Sequence, residues 1–322
     1  MPIPHSFMSL PLQHLVQTIS AAQPGNDAIR LFHGRGGLYP GCEHLALDFY
    51  PPVWLLTSFE PLTDDDLALV DQALRQRWAT LATNQPLNWV YQCRHGGQTD
   101  TRLMGGAVPE PHVVTEDGAR YAVHLLRGQN HGLFLDMAEG RRWVREHART
   151  WPGIKVLNLF AYTCAFSVAA LQGGARRVVN LDMSHGAIGL GQHNHALNGL
   201  SAGAGFMAHD LFKSWGKVAR MGPYDLIVAD PPSFQKGSFV AAKDYARLIR
   251  RLPDLLNPQG QVLLCLNAPE LSEAWLREQV AEHAPSLVVE QRLPNPAAFT
   301  DVSPDRALKV LVLSAPEGSV AG

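Results

Sequence analysis

Residues 155–182 read KVLNLFAYTCAFSVAALQGGARRVVNLD, and this stretch is the strongest indicator of the fold class. It opens with an apolar, β-rich run, continues as a helical segment that ends at Gly173-Gly174, and closes with a second β-rich run that ends in Asp182. Two short apolar strands joined by one helix form a βαβ unit, in which the strands are parallel and the crossover is right-handed. The stretch therefore predicts a parallel sheet covered by helices.

The same alternation continues along the rest of the chain. The runs YDLIVAD and QVLLCLN are further strands, and Ser184 is a good N-cap for the helix between two of the strands. The last two β-rich runs, SLVVEQRL and RALKVLVLS, have no helix between them, so one of them should be antiparallel. We expect a Rossmann-like α/β sheet of seven strands, mostly parallel, with one antiparallel edge strand.

Residues 1–128 have a different pattern, which is typical of a small α+β domain. Short β-rich runs surround a helical segment that Thr63 caps and that carries acids in its first turn. Two β-rich runs around Asp117-Gly118 indicate a hairpin. We place the N-terminal domain, a candidate for substrate recognition, at residues 1–128 and the catalytic domain at residues 129–322.

Composition places the chain among ordinary globular proteins. Hydrophobic residues make up 46% and charged residues 17% of the 322 residues. We find neither a leader peptide pattern nor an apolar run of the ~18 residues that a membrane span needs. The four cysteines are far apart in the sequence, which favours a reducing cytoplasm and argues against a structural zinc site. Although His193 and His195 lie close in sequence, they fall on different faces of a helix and are expected to be surface residues.

The net charge of −2 means that any nucleic acid must bind through a local basic patch. The best candidate is a helical stripe formed by Arg141, Arg145 and Arg149, which recur every fourth residue. A solvated helix face explains this stripe equally well. Further basic residues recur in the segment RLIRR.

Acidic residues follow several of the predicted strands. Asp182, Asp210 and Asp230 each come directly after a β-rich run, and the turn at 160–163 follows the first. Open α/β sheets bind ligands beyond the carboxyl ends of their strands, and an acid about 20 residues after the first turn suits ribose hydroxyls. No GxGxxG motif follows the first strand, so a pyrophosphate is a poor fit. This pattern favours S-adenosylmethionine over a nicotinamide cofactor.

The segment DPPSF, residues 230–234, follows its strand with no spacer. Pro231 and Pro232 fix an extended corner that donates no hydrogen bonds, so its carbonyl groups are available to a ligand. Phe234 lies just beyond, where an aromatic ring can stack on a base. A rigid turn with an aromatic plug is the alternative interpretation.

These motifs resemble a known family. In order and spacing, the segments GLFLDMAEGRRWV, VLNLFAYTCAFSVAALQGGARRVVNLDMS, HNHALNGL and YDLIVADPPSF are similar to those of bacterial large-subunit rRNA base methyltransferases of the class I, S-adenosylmethionine-dependent type. The resemblance runs from about His124 to Lys309. Some members carry an N-terminal PUA domain, for which residues 1–128 leave no room, so we expect none here.

The resemblance implies a role for each motif residue. Residues 160–163 would surround the methionine part of the cofactor, Asp182 would hold the ribose, and Asp210 would accept a hydrogen bond from the adenine amino group. Asp230 and Pro231 would face the transferable methyl group, with Phe234 stacked on the extruded base. The complete set of expected cofactor-binding residues is Asn158, Phe160, Ala161, Tyr162, Thr163, Asp182, Met183, Asp210, Leu211 and Asp230; the expected catalytic residues are Asp230, Pro231 and Phe234.

One position departs from the family. Where its members commonly have Tyr-Thr-Gly, this chain has Tyr162-Thr163-Cys164. If residue 164 needs a positive φ, a cysteine there costs on the order of 1 kcal/mol. The departure raises the alternative of a degenerate member that binds RNA but has lost turnover.

The atom that is methylated depends on a cysteine. Carbon-5 of cytosine reacts only after a thiolate adds to the ring, whereas a base nitrogen needs only alignment with the methyl group. In the 5-methylcytosine branch the nucleophile lies just beyond the fifth strand, where this chain has Asn267-Ala268-Pro269. Cys265 falls about three residues earlier, inside an apolar strand, and is expected to be buried.

We therefore expect direct transfer to a base nitrogen of rRNA. The alternatives that remain open are 5-methylcytosine chemistry, a substrate that is another RNA, a protein or a small molecule, and the degenerate RNA-binding protein. A nicotinamide dehydrogenase is a distant alternative.

Overall fold

A computed structural model describes residues 9–81, 85–235 and 239–316, with the backbone alone at Leu10 and at Phe234–Gln235. The contacts divide the chain into two units. The first comprises Met1–Leu135 with Pro296–Ser303, and the second comprises Asp136–Asn295 with Pro304–Gly322. None of the helices in the described ranges is long and apolar enough to cross a membrane.

The first unit is a five-stranded sheet with two helices packed on one face. Strands run in the order β1-β2-β3-β4-β5, and only the β3–β4 pair is parallel. A separate hairpin, β6–β7, completes the unit. The elements are α1 Leu10–Ala21, β1 Ile29–His33, β2 Leu45–Tyr50, β3 Val53–Ser58, α2 Asp64–Leu81, β4 Asn88–His95, β5 Gln98–Gly105, β6 His112–Glu116 and β7 Ala119–Val123.

Local signals in the first unit act as the sequence predicts. Thr63 caps α2 by accepting a hydrogen bond from the Asp66 amide at 3.1 Å, and the Asp66 carboxylate accepts one from the Thr63 amide at 3.1 Å. Asp117 and Gly118 have positive φ angles and form the tight turn between β6 and β7.

The first unit extends beyond residue 128, to Leu135. The His124 amide donates to the His131 carbonyl at 3.1 Å, and the Tyr50 hydroxyl donates to the Leu133 carbonyl at 3.3 Å. These bonds hold the segment that follows β7 against the first sheet.

The second unit is a seven-stranded sheet with the strand order β10-β9-β8-β11-β14-β16-β15. This order, with a helix between successive strands of the sheet up to β15, confirms the expected doubly wound α/β fold. The elements are α3 Ala138–Thr150, β8 Lys155–Leu159, α4 Ala165–Gln172, β9 Arg177–Asp182, α5 His185–Leu197, β10 Ala204–Ala208, α6 Trp215–Met221, β11 Tyr224–Ala229, β12 Phe234–Gln235, β13 Phe239–Val240, α7 Ala241–Ile249, β14 Leu256–Leu266, α8 Glu273–His283, β15 Val288–Arg292 and β16 Lys309–Ser314.

Strand β16 is the expected antiparallel strand. It pairs antiparallel with both β14 and β15, so it lies one place in from the edge, and β15 forms the edge itself. The expected edge position of the antiparallel strand was therefore wrong. No α-helix joins β15 to β16, which favours the antiparallel pairing that the two strands adopt.

Both faces of the central strands are buried. Along β8, Val156 faces one apolar cluster, whereas Leu157 and Leu159 face the other. The runs are therefore continuously apolar, as in other parallel sheets covered by helices. Helix α7 ends at Ile249, earlier than the sequence pattern suggests, because Pro253 cannot continue it.

Candidate cofactor and substrate site

The register of the sheet brings the strand ends together. Leu159 at the end of β8 pairs with Leu181 on one side and with Ala229 on the other. Phe160 and Asp230, which follow these strands, therefore emerge at the same edge of the sheet.

A small pocket of about 20 Å³ opens at this edge. Ligand sites typically hold ~300–1,000 Å³, so this pocket fits only a small part of a molecule the size of S-adenosylmethionine. It unites five of the expected cofactor residues, namely Phe160, Asp182, Met183, Asp210 and Leu211. It also includes Leu181, His209 and Phe212, which sequence reasoning missed.

Asp182 is held by two backbone amides. Its carboxylate accepts hydrogen bonds from the Tyr162 amide at 2.9 Å and from the Ser184 amide at 2.8 Å. These bonds fix the rotamer of Asp182, so the carboxylate that lines the pocket has a defined orientation. Met183 beside it is 40% exposed, which leaves an apolar surface on which a flat ring can pack.

Asp210 caps the short 3-10 turn that follows β10. Its Oδ1 accepts from the Phe212 amide at 2.9 Å, and its Oδ2 lies 3.5 Å from the Lys213 ammonium. The Phe212 ring stacks on Phe239 with an interplanar angle of 15°, and the Arg247 guanidinium lies 4.1 Å above the Phe212 ring. An aromatic ring two residues after a strand-end acid is the signal that could have found Phe212.

The turn at residues 160–164 holds an unusual backbone. Phe160, Tyr162 and Cys164 have φ angles of 56°, 45° and 61°, although none is glycine. Each such residue costs on the order of 1 kcal/mol or more, and such strain concentrates at functional sites. The positive φ that the family pattern suggested for Cys164 is confirmed.

Helix α5 provides the space for the Cys164 side chain. Cys164 is fully buried, and a Cβ added at Gly191 would lie 2.4 Å from its sulfur. Only glycine at position 191 leaves room for this thiol. The departure from the family pattern at 164 is thus accommodated by a second small residue.

Five expected cofactor residues are not among those that line the pocket: Asn158, Ala161, Tyr162, Thr163 and Asp230. The Asn158 side chain is buried and donates to Asn180 at 2.9 Å, and its contact with a cofactor stays a prediction. Ala161 and Thr163 are also buried. Tyr162 is tied to the pocket through its amide on Asp182. These turn residues can therefore serve a ligand chiefly through backbone groups.

His195 is not the surface residue that the sequence suggested. It is fully buried, its Nε2 lies 2.8 Å from the Ser167 hydroxyl, and its Nδ1 lies 2.7 Å from the Gly191 carbonyl. Burial lowers the pKa of His195, so the ring is neutral. Gly191, four residues earlier on the same face of α5, is buried as well.

A half-buried acid, Asp230, directly follows β11. Burial raises the pKa of Asp230 to about 7, and the nearby Asp136 carboxylate acts in the same direction. The Arg141 guanidinium and the Cys265 thiol, which hydrogen-bonds the carboxyl, oppose this rise. Asp230 therefore changes its charge near neutral pH, and Asp136 is a neighbour that sequence reasoning missed.

Cys265 is fully buried in β14, as expected. Burial raises the pKa of its thiol well above the ordinary range, and the charge of Asp230 adds to this effect. The Tyr245 hydroxyl donates to the Cys265 carbonyl. A thiol so enclosed and protonated has little nucleophilic character. Asn267, just beyond β14, is exposed.

Arg141 corrects the proposed basic stripe on α3. It is 3% exposed and its charge acts on Asp230, so it does not belong to a solvated face. Arg149 is exposed and pairs with Glu146 at 2.5 Å. The fourfold spacing therefore does not produce a continuous basic surface on this helix.

The corner after Asp230 is rigid. Pro231 is buried, and the Ser233 carbonyl accepts from the Ala241 amide at 3.0 Å. The backbone of Phe234 pairs with Val240 in the two-stranded β12–β13 ribbon. The Phe234 side chain lies outside the described part of the chain, so its stacking role stays a prediction.

Comparison with known proteins agrees with this geometry. The family model for S-adenosylmethionine-dependent methyltransferases matches residues 29–314. The Ribosomal RNA large subunit methyltransferase I of Tolumonas auensis is 32% identical over 288 residues, which cover 84% of this chain and 71% of the relative. The protein of the same name from Aeromonas salmonicida is 30% identical over 249 residues, which cover 76% of this chain and 62% of that relative. The chain therefore spans less than two thirds of the Aeromonas protein.

Solved structures share the fold. A methyltransferase complexed with S-adenosylhomocysteine is 24% identical with a TM-score of 0.80, and the match covers 96% of this chain and 83% of that chain. An S-adenosylmethionine-dependent methyltransferase from Streptococcus mutans is 24% identical with a TM-score of 0.79, over 96% and 82% of the two chains. The family match confirms the expected cofactor and enzyme class. With its strand-end acids and its pocket at the edge of a seven-stranded sheet, the chain belongs to the S-adenosylmethionine-dependent methyltransferase family.

Proposed function

We propose that the protein transfers a methyl group from S-adenosylmethionine to a base nitrogen of large-subunit rRNA, by direct in-line displacement. The names of the Tolumonas and Aeromonas relatives support the rRNA substrate. An rRNA substrate would also place the enzyme in the cytoplasm.

The burial of Cys265 is the main observation that favours methylation at a base nitrogen over methylation at carbon-5 of cytosine. Methylation at carbon-5 of cytosine needs a thiolate that reaches the ring, and this thiol is fully buried with a raised pKa. Residues 267–269, where the family's nucleophile would lie, contain no cysteine. A nitrogen lone pair needs only to be aligned with the methyl group, and the Pro231-Pro232 corner is stiff enough to provide that alignment.

Each group of residues in the site would have a separate role. Asp182 would accept hydrogen bonds from the ribose, and Met183 would pack on the adenine, whose amino group would donate to Asp210. Backbone groups of residues 160–163 would contact the methionine part of the cofactor. Asp230 and Pro231 would face the methyl group and the edge of the base.

The stacking role of Phe234 has a direct test. Phe234→Ala should weaken RNA binding by roughly 1–3 kcal/mol while the affinity for S-adenosylhomocysteine stays within about twofold of wild type. Loss of cofactor binding instead would assign the ring to the cofactor pocket or to the core.

Methyl transfer to defined RNA tests the whole proposal. The enzyme is incubated with labelled S-adenosylmethionine and large-subunit rRNA from a strain that lacks this gene, and the digested nucleosides are identified by mass. A labelled nucleoside methylated on nitrogen is the expected product. Labelled 5-methylcytosine would refute the choice of atom, and absence of label on naked rRNA and on ribosomal subunits would refute the rRNA substrate.

The degenerate alternative makes a different prediction. It requires that Cys164 impairs the cofactor turn, so that S-adenosylhomocysteine binds weakly or not at all. The fit of the Cys164 thiol against Gly191 supports an intact turn. Calorimetric titration with S-adenosylhomocysteine decides between them, since micromolar or tighter binding excludes the degenerate protein.

A further inference from the structure

Basic side chains cover the helices α6 and α7, which lie near Phe212 at the pocket. Within residues 209–221 and 241–254, seven lysines and arginines face three aspartates, an excess of four positive charges in a chain whose net charge is −2. We define the α6–α7 basic surface by its seven cations: Lys213, Lys217, Arg220, Lys243, Arg247, Arg250 and Arg251.

Each helix presents its cations on its outer face. On α6, Val218 is buried while Lys217 and Arg220 are exposed. On α7, Tyr245 and Leu248 are buried and Arg247 is exposed. Residues three and four apart lie on one face of a helix, so Lys217 and Arg220 form a row on α6, and Lys243 and Arg247 form a row on α7. Lys213 lies just before α6, and Arg250 and Arg251 directly follow α7.

Aromatic contacts join the two rows. The Arg247 guanidinium lies 4.1 Å above the Phe212 ring, and the Arg251 guanidinium lies 5.8 Å from the centre of the Trp215 ring. Phe212 and Trp215 themselves meet edge to face at 6.2 Å. Because Phe212 lines the cofactor pocket, the basic surface is continuous with the site.

Most of this charge is available to a ligand. No carboxylate within the described residues lies at ion-pair distance from Lys217, Arg220, Lys243 or Arg250. The other three cations make ion pairs with aspartates, at 2.9–3.7 Å, from side chains that are 43–85% exposed. Such exposed pairs contribute little free energy and exchange partners readily.

We propose that the α6–α7 basic surface binds the phosphates of the RNA strand that carries the target base. Exposed lysines and arginines interleaved with aromatic rings are the usual surface for a single-stranded backbone. The location beside the pocket would deliver the neighbouring base to the Asp230 corner. This inference rests on the proposed rRNA substrate.

The salt dependence of RNA binding tests the surface. Large-subunit rRNA from the strain lacking this gene is titrated with Lys217→Ala/Arg220→Ala and with Lys243→Ala/Arg250→Ala at a series of KCl concentrations. The slope of log affinity against log salt falls by about 0.7–0.9 for each phosphate that the protein no longer neutralises. Each double variant should therefore lower the slope by up to about 1.4–1.8.

Matched variants separate phosphate binding from a general charge effect. Arg176→Ala/Arg177→Ala removes two exposed arginines at the opposite, amino-terminal end of β9 and should leave the slope unchanged. Lys243→Arg/Arg250→Lys keeps both charges and should retain the slope. In every variant the affinity for S-adenosylhomocysteine should stay within about twofold of wild type, which checks the fold.

Two outcomes would overturn the proposal, and they are distinguishable. If wild type methylates rRNA and the α6 and α7 variants bind it with the control slope, the surface assignment fails and the proposed function stands. If wild type neither binds nor methylates rRNA, the proposed function fails and the surface assignment fails with it.

Discussion

The fit between Cys164 and Gly191 gives a quantitative test of the turn at residues 160–164, which is proposed to hold the cofactor. A Cβ at position 191 would lie 2.4 Å from the Cys164 sulfur and 3.1 Å from its Cβ, so Gly191→Ala forces the buried side chain or the backbone to move. Overpacking of this kind costs about 1–3 kcal/mol. The same substitution removes a glycine from the interior of α5, which stabilises a helix by about 1 kcal/mol.

Cys164→Gly separates these two contributions. Without that side chain, the nearest remaining atom to a Cβ at position 191 is the Thr163 carbonyl carbon at 3.4 Å, an ordinary contact. In that background Gly191→Ala should stabilise the protein by about 1 kcal/mol. Because the helix contribution is the same in both backgrounds, the coupling free energy equals the overpacking cost, about 1–3 kcal/mol.

The assay is urea unfolding of wild type, both single variants and the double variant. A chain of two units can unfold in more than one step, so the relevant transition is the one whose midpoint rises with added S-adenosylhomocysteine. Gly189→Ala is the matched control on the same helix, since a Cβ there meets nothing within 4 Å. It should stabilise by about 1 kcal/mol in both backgrounds, with no coupling.

A coupling free energy within about 0.5 kcal/mol of zero would refute this account, provided that the Gly189 control behaves as stated. Binding gives a second readout. Gly191→Ala should weaken S-adenosylhomocysteine binding because the displaced Cys164 belongs to the turn, and the double variant should recover it.

Three further predictions concern the site. Asp182→Ala removes the acceptor of two backbone amides. It should weaken S-adenosylhomocysteine binding, measured by calorimetry, by roughly one to two orders of magnitude. An unchanged affinity would exclude a role for this carboxylate in the pocket. The raised pKa of Asp230, about 7, means that the carboxyl ionises as pH rises through neutrality, so affinity for the positively charged S-adenosylmethionine should increase by up to about tenfold between roughly pH 6 and 8. S-adenosylhomocysteine, which lacks the sulfonium charge, should change much less, and identical profiles for the two ligands would place Asp230 away from the sulfur. Cys265→Ser should retain methyl transfer, because the serine hydroxyl can keep the hydrogen bond to the Asp230 carboxyl and so avoids most of the cost, about 1–3 kcal/mol, of burying a hydroxyl without a partner. Complete loss of transfer in a folded variant with normal cofactor binding would instead show that the cysteine has a chemical role.

Local chemistry was sufficient to predict many of the elements. The cap at Thr63 and the turn at Asp117-Gly118 depend only on neighbouring residues, and both form as expected. The β4–β5 hairpin was not anticipated, although Gly96-Gly97, both with positive φ, stands between two strands and was the available signal.

The positions of two acidic residues of the site, Asp182 and Asp210, were also predictable from the sequence. Parallel strands end at a common edge, so Asp182 and Asp210 could be placed at the pocket from their positions alone. Phe212 and His209 were missed because they lie in irregular backbone after β10, where no periodicity indicates the direction of a side chain.

The order of strands and helices, the crossover units and the acids at the strand ends could all be inferred from the sequence, because these features follow from interactions between near neighbours. What each side chain faces depends instead on the tertiary structure. Arg141 belongs to a regular stripe in sequence yet turns inward toward Asp230, while Arg247 lies over the Phe212 ring. Spacing along a helix fixes the direction in which a side chain leaves the helix axis. The group that the side chain contacts depends instead on how distant segments pack against the helix. Cys164 can hold its strained conformation for the same reason, since the glycine that makes room for it comes from another helix.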